Sequence, residues 1–146
     1  MRIILQISLI VFSSFLLLAC NKEAKPIDYG NDGCHFCKMT IVDKTYGSEL
    51  ITDKGKVFKF DAAECMINFL NENKDLPTAK LLTNYYEEPT KFITVEGATF
   101  LISENLPSPM GANLTAFKTK ESAEKVLADK GGDLYTWEEL RAHFNN

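Results

Sequence analysis

The chain has 146 residues, 45% of them hydrophobic and 25% charged, with a formal net charge of −4. That length suits one domain, or two small halves that share a core. The acidic balance argues against nucleic acid as a partner, because such binding needs a basic face.

In chain order, Arg2 and the apolar run Ile3 to Leu18 form a leader, and Leu17-Leu18-Ala19-Cys20 has the form of a bacterial lipobox. The run is short for a membrane span. The expectation is a signal peptide over 1–19 and a lipid on Cys20, which would place the chain on a bacterial membrane, outside the cytoplasm at its periplasmic face. Residues 20–33, with Pro26 and Gly30, read as a lipidated N-terminus and polar tether.

Next comes Cys34-His35-Phe36-Cys37-Lys38-Met39, a density of soft donors that a packed core does not require. Thr40-Ile41-Val42 then reads as a strand. Tyr46 to Thr52 and Val57 to Phe60 flank a turn at Gly55, the pattern of a β-hairpin. Asp61 with Glu64 three residues on predicts a capping box that opens a helix over 62–73. Cys65 falls in its first turn, where the helix dipole favours a thiolate. Its spacing to Phe69 also fits core filler, so it is a further candidate soft donor and not a firm one.

Leu81 to Tyr86 predicts a strand broken by Glu87-Glu88-Pro89, and Phe92 to Val95 with Ala98 to Ile102 predicts a second hairpin about Glu96-Gly97. Residues 103–109 form a proline-stiffened loop that presents Met110-Gly111. A strand over 113–117 follows, then a helix over 120–129 capped by Thr119 and stopped by Gly131-Gly132. The last helix starts at Thr136, with Glu139 completing its capping box. The stretches Phe60 to Leu70 and Phe117 to Leu127 match at a constant offset. The predicted fold class is therefore α+β: two packed ββαβ-like units with mainly antiparallel strands, over 34–88 and 89–146, each too small to bury its own face alone.

Once Cys20 carries lipid, Cys34, Cys37 and Cys65 are an odd set in an oxidising compartment. Either Cys34 and Cys37 form a disulfide beside a buried Cys65, or metal ligation keeps the thiols reduced. Thiolate and thioether together favour Cu(I), whereas zinc sites seldom recruit methionine. Met39 and Met110 thus join His35 and the cysteines as candidate ligands. No nucleophile–base pair or carboxylate dyad has a spacing that suggests catalysis, so the chain reads as a non-enzyme.

Lipobox, Cys34-His35-Phe36-Cys37-Lys38-Met39, Met110-Gly111-Ala112, Ala116-Phe117 and Gly131-Gly132 together resemble the NosL family, lipoproteins that supply copper for assembly of nitrous oxide reductase. The similarity covers nearly all of the mature chain and departs at Lys38, where the family usually has glycine. It implies Cu(I) bound by cysteine and methionine with histidine involvement, and hand-over to the reductase's copper–sulfur centre alongside a membrane transport complex. The expected ligands are one cysteine of the pair, Cys37 ahead of Cys34, with Met110 and with Met39 or His35 completing the shell. Two other readings stand beside this one: a thiol–disulfide oxidoreductase using Cys34 and Cys37, and a structural zinc lipoprotein.

Overall fold

The computed structural model describes residues 22–145. The leader and Cys20 lie outside them, and no described helix is long and apolar enough to cross a membrane. Among the described residues seven strands and three α-helices follow in the order β1 (Ser48–Thr52), β2 (Val57–Phe60), α1 (Ala63–Glu72), β3 (Thr78–Tyr85), β4 (Glu88–Thr94), β5 (Thr99–Ile102), β6 (Leu114–Phe117), α2 (Lys120–Lys130), β7 (Asp133–Tyr135) and α3 (Trp137–His143).

Two antiparallel sheets result, ordered β2-β1-β3-β4 and β6-β5-β7. Each contains a ββαβ run in which the first strand lies between the second and third. The units differ in what is added: β4 extends the first sheet, and α3 follows the second.

The two units bury residues in one shared core. Phe60, Met66 and Leu70 of the first unit belong to the same cluster as Phe100, Leu114, Trp137 and Leu140 of the second. Alternation along β5 and β6 sends Phe100 and Ala116 into that cluster, while Leu101 and Phe117 pack with Ala123 of α2 in a smaller one. Full burial of Phe60, Phe100 and Phe117 stabilises the fold by about 2 kcal/mol each. The backbone joins the units too, since the Tyr86 N–H donates to the Ala116 carbonyl at 2.9 Å.

Four expectations are corrected. The Phe92–Ile102 stretch is not a hairpin: β4 pairs with β3, β5 pairs with β6 and β7, and a 3-10 turn at Val95–Gly97 carries the chain between sheets. Val95 is fully buried, so this turn is packed into the core and does not serve as an exposed hairpin tip. The real reversal is at Tyr86-Glu87, and Pro89 sits within β4, the outermost strand of its sheet, where a missing N–H costs least. Thr40-Ile41-Val42 makes no strand, only an isolated bridge between Gly33 and Thr40.

The segment from Lys22 to Asp32 is not a free tether. Lys22 reaches Asp53 at 3.5 Å, the Lys25 N–H donates to Glu49 at 3.1 Å, Ile27 is buried, and the Tyr29 hydroxyl donates to Asn84 at 2.7 Å. This strap runs along the sheet toward Cys34. Gly47 makes room for it, because a Cβ there would lie 2.6 Å from both the Asn84 side chain and Ile27.

Candidate metal centre

Residues Gly33 to Thr40 fold back on themselves. The Cys34 N–H donates to the Met39 carbonyl at 2.8 Å and the Lys38 N–H to the Cys34 carbonyl at 3.0 Å. Closing so short a loop requires a left-handed residue, and Lys38 occupies that conformation at φ 67°. The position favours glycine, so Lys38 holds a conformation that side-chain-bearing residues seldom adopt.

The loop turns Cys34 and Cys37 toward the first turn of α1. There Cys65 completes a group of three thiols whose sulfurs all lie within 4.8 Å of one another. Cys34 and Cys65 are 2% and 1% exposed, Cys37 is half-buried, and all three are free. A metal bonded at about 2.3 Å to three sulfurs holds them roughly 4 Å apart, so the cluster is close to the size that coordination requires.

Protons are unequally shared within it. Cys34 accepts hydrogen bonds, first from the Cys65 thiol and then from the backbone N–H groups of Asp61 and Cys37, which pull its pKa down to about 4 despite burial. Cys65, as donor to that sulfur, is pushed up, and burial raises Cys37. Cys34 is therefore the sulfur of the three most readily deprotonated, with the other two thiols placed to donate to it.

The predicted capping box at the start of α1 does not form. The N-cap is Ala62 and has no side-chain hydrogen bond. Asp61 and Glu64 are instead buried, each with one carboxylate oxygen lacking a partner, and burial raises both pKa values. Glu64 accepts from the Ser108 hydroxyl and from the Ala112 backbone N–H. It thereby fastens the loop that carries Met110 to the residue preceding Cys65. The Tyr46 hydroxyl holds the same loop at the Pro107 carbonyl, 3.0 Å away.

The remaining candidates lie further out. Met39 is 48% and Met110 37% exposed, so both thioethers face the surface. His35 is exposed and outside the thiol group, with its ring edge-on to Phe58 and Phe69 at centroid distances of 4.5 and 5.3 Å. Burial against these rings, then the Lys38 and Lys56 charges, lowers its pKa. His143 is exposed on α3 beside Tyr135 and Phe144.

Sequence reasoning underweighted Cys65 and missed Glu64. The core-filler reading of Cys65 was half of the truth, since it is both packed in the core and a member of the thiol group. The signal that could have found it is its place at the third position of a helix whose N-cap is an alanine, where the side chain is free for another purpose.

No curated protein sequence matches the chain. Among solved structures it is similar to one described as the crystal structure of the copper chaperone NosL from Shewanella denitrificans, with 26% identity and a TM-score of 0.71 over 82% of this chain and 96% of that one. The model of the NosL family matches residues 27–144, which take in the second half of the strap, the thiol loop, both sheets and the three described helices. With the fold, the clustered thiols and that match over most of its length in agreement, the chain belongs to the NosL family.

Proposed function

We propose that the chain is a Cu(I)-binding metallochaperone, anchored outside the cytoplasm by a lipid on Cys20, that carries copper to an extracytoplasmic cuproenzyme. The meeting of Cys34, Cys37 and Cys65 within 4.8 Å carries this reading. Family membership and the likeness to a copper chaperone support the identity of the cargo. The proposed recipient is the copper–sulfur centre of nitrous oxide reductase, served alongside a membrane transport complex, as the family resemblance implies.

The copper ion is cargo, so the residues have two tasks: to hold it and to let it go. Cys34 supplies a ready thiolate from the buried side, and Cys65 fixes the depth of the site through α1. Cys37 is half-buried and nearer to solvent, which suits it to the exchange step. Met39 and Met110 offer neutral thioethers at the surface, where an incoming donor from a partner can compete with them one bond at a time. Glu64 positions the Met110 loop.

Anaerobic titration with Cu(I) against a competing chelator tests the proposal. The expected result is about one tightly held copper per chain, with affinity reduced about tenfold in Met110→Ala. Equal affinity in the two proteins would remove Met110 from the site. Turnover with a dithiol reductant would support an oxidoreductase in place of a carrier, and unfolding on zinc chelation would support a structural zinc protein.

A further inference from the structure

At the opposite end of α1 from the thiols, roughly 9 Å along the helix axis from Cys65 to Asn71, lies an open groove of about 600 Å³. Leu70, Leu76 and Leu81 contribute its apolar lining, and Asn71, Lys74 and Arg141 its polar lining. Two features mark it as more than a packing defect. Among the described residues it is lined by two cations and no acid; Glu72 and Asp75, the nearest acids in sequence, are not in the lining. Arg141 Nε, a donor that an anionic oxygen would satisfy, is buried with no hydrogen-bond partner among the described residues. An apolar floor beneath the Arg141 guanidinium and the Lys74 ammonium fits a ligand with an anionic oxygen cluster joined to hydrocarbon.

The groove lies where the chain would meet its anchor. Lys22, two positions after Cys20, pairs with Asp53 at 3.5 Å; the Asp53 N–H donates to the Pro77 carbonyl at 3.1 Å; and Pro77 is flanked by the groove residues Leu76 and Thr78. The first described residue, the β1–β2 turn and the groove thus share one end of the molecule. The thiol loop and the first turn of α1 share the other, since Ser48 of β1 faces Phe60 of β2 and Thr83 of β3 there.

We infer that this groove binds the phosphate headgroup of an anionic phospholipid in the membrane to which the chain is anchored. Arg141 and Lys74 hold the phosphate oxygens while the leucines lie toward the acyl chains, and the thiol site is held at the end facing away from the bilayer. The inference rests on the reading that Cys20 is lipidated.

The test uses the full lipidated protein in nanodiscs of phosphatidylcholine alone or mixed with phosphatidylglycerol, after intact mass has established the acylation. Hydrogen exchange of residues 70–81 and 137–145 is expected to slow several-fold in the anionic discs only, and salt is expected to reverse it. A Lys74→Gln/Arg141→Gln variant is expected to lose that protection while its copper affinity stays unchanged. Equal exchange in both discs, or protection retained in the variant, would overturn the inference. So would equal protection by inorganic phosphate in zwitterionic discs, since the ligand would then be a free anion. If the mass shows no lipid, the anchoring reading fails on its own account. Flotation of the same full chain with phosphatidylglycerol or phosphatidylcholine vesicles then tests the groove, and equal flotation would overturn it.

Discussion

Helices α1 and α2 begin at matching places in two units of the same topology, yet their first turns differ in kind. In α2 the N-cap Thr119 accepts from the Ser122 N–H, and the Ser122 side chain reaches back to the cap backbone. In α1 the corresponding residues are Ala62 and Cys65, and neither caps anything. Cys65 takes the place of Ser122 in the repeat but turns its sulfur to Cys34 and Cys37. The second unit keeps a conventional helix start; the first has given up that stabilisation and uses the position for chemistry. Burial follows the same division. Glu49, Asp61 and Glu64, the buried acids among the described residues, all belong to the first unit.

The sharpest way to break the comparison is to give α1 the residue that α2 uses. Cys65→Ser keeps nearly the same shape and is expected to leave the fold intact while weakening Cu(I) binding at least about 100-fold, since one of three soft donors is lost. Chelator competition measures this, and undiminished affinity would show that Cys65 is only core.

The buried acids make stability depend on pH, through the first unit. Burial raises the Glu49 carboxyl from 4.5 to about 7. The folded chain keeps that proton over a range in which the unfolded chain has lost it. The Glu49 contribution to stability is therefore largest below about 4.5 and is lost as pH rises toward 7, by on the order of 2–3 kcal/mol, while the lowered Cys34 thiol contributes in the opposite sense over the same range. Urea unfolding of wild type and Glu49→Gln across that range isolates this contribution: the stability difference between the two is expected to change by that amount with pH.

Removing the conventional cap is expected to cost less. Thr119→Ala should lower stability by about 1 kcal/mol with copper affinity unchanged, because α2 does not contribute to the site. The smallest effect is expected at Lys38. Lys38→Gly relieves a left-handed side-chain residue and should be neutral or stabilise by up to about 1 kcal/mol, read as a small rise in Tm.

Local rules were legible in the sequence wherever one segment decides the outcome. The β1–β2 hairpin, the Thr119 and Thr136 caps, and the repeated ββαβ order were all visible in residue patterns, and the structure contains each of them. Pairings that depend on distant partners were not. Phe92 to Ile102 has every mark of a hairpin, but Val95 is pulled into the shared core and the two strands separate into different sheets. Asp61 and Glu64 have capping-box spacing, yet Glu64 finds Ser108, which lies far off in sequence. The soft donors of the Cys34 loop were conspicuous as letters. That Cys65 would be the residue to join them depended on how α1 is set against that loop, which no local pattern encodes.

The unequal sharing of protons in the thiol cluster has a consequence for which ion it accepts. A monovalent cation entering beside Cys34, the sulfur most readily deprotonated, needs only one proton expelled for the site to be neutral. A divalent ion would leave excess positive charge in a poorly solvated place unless further protons were expelled against the burial that retains them. Charge balance is thus a second physical argument, beside ligand softness, for the cuprous cargo proposed above.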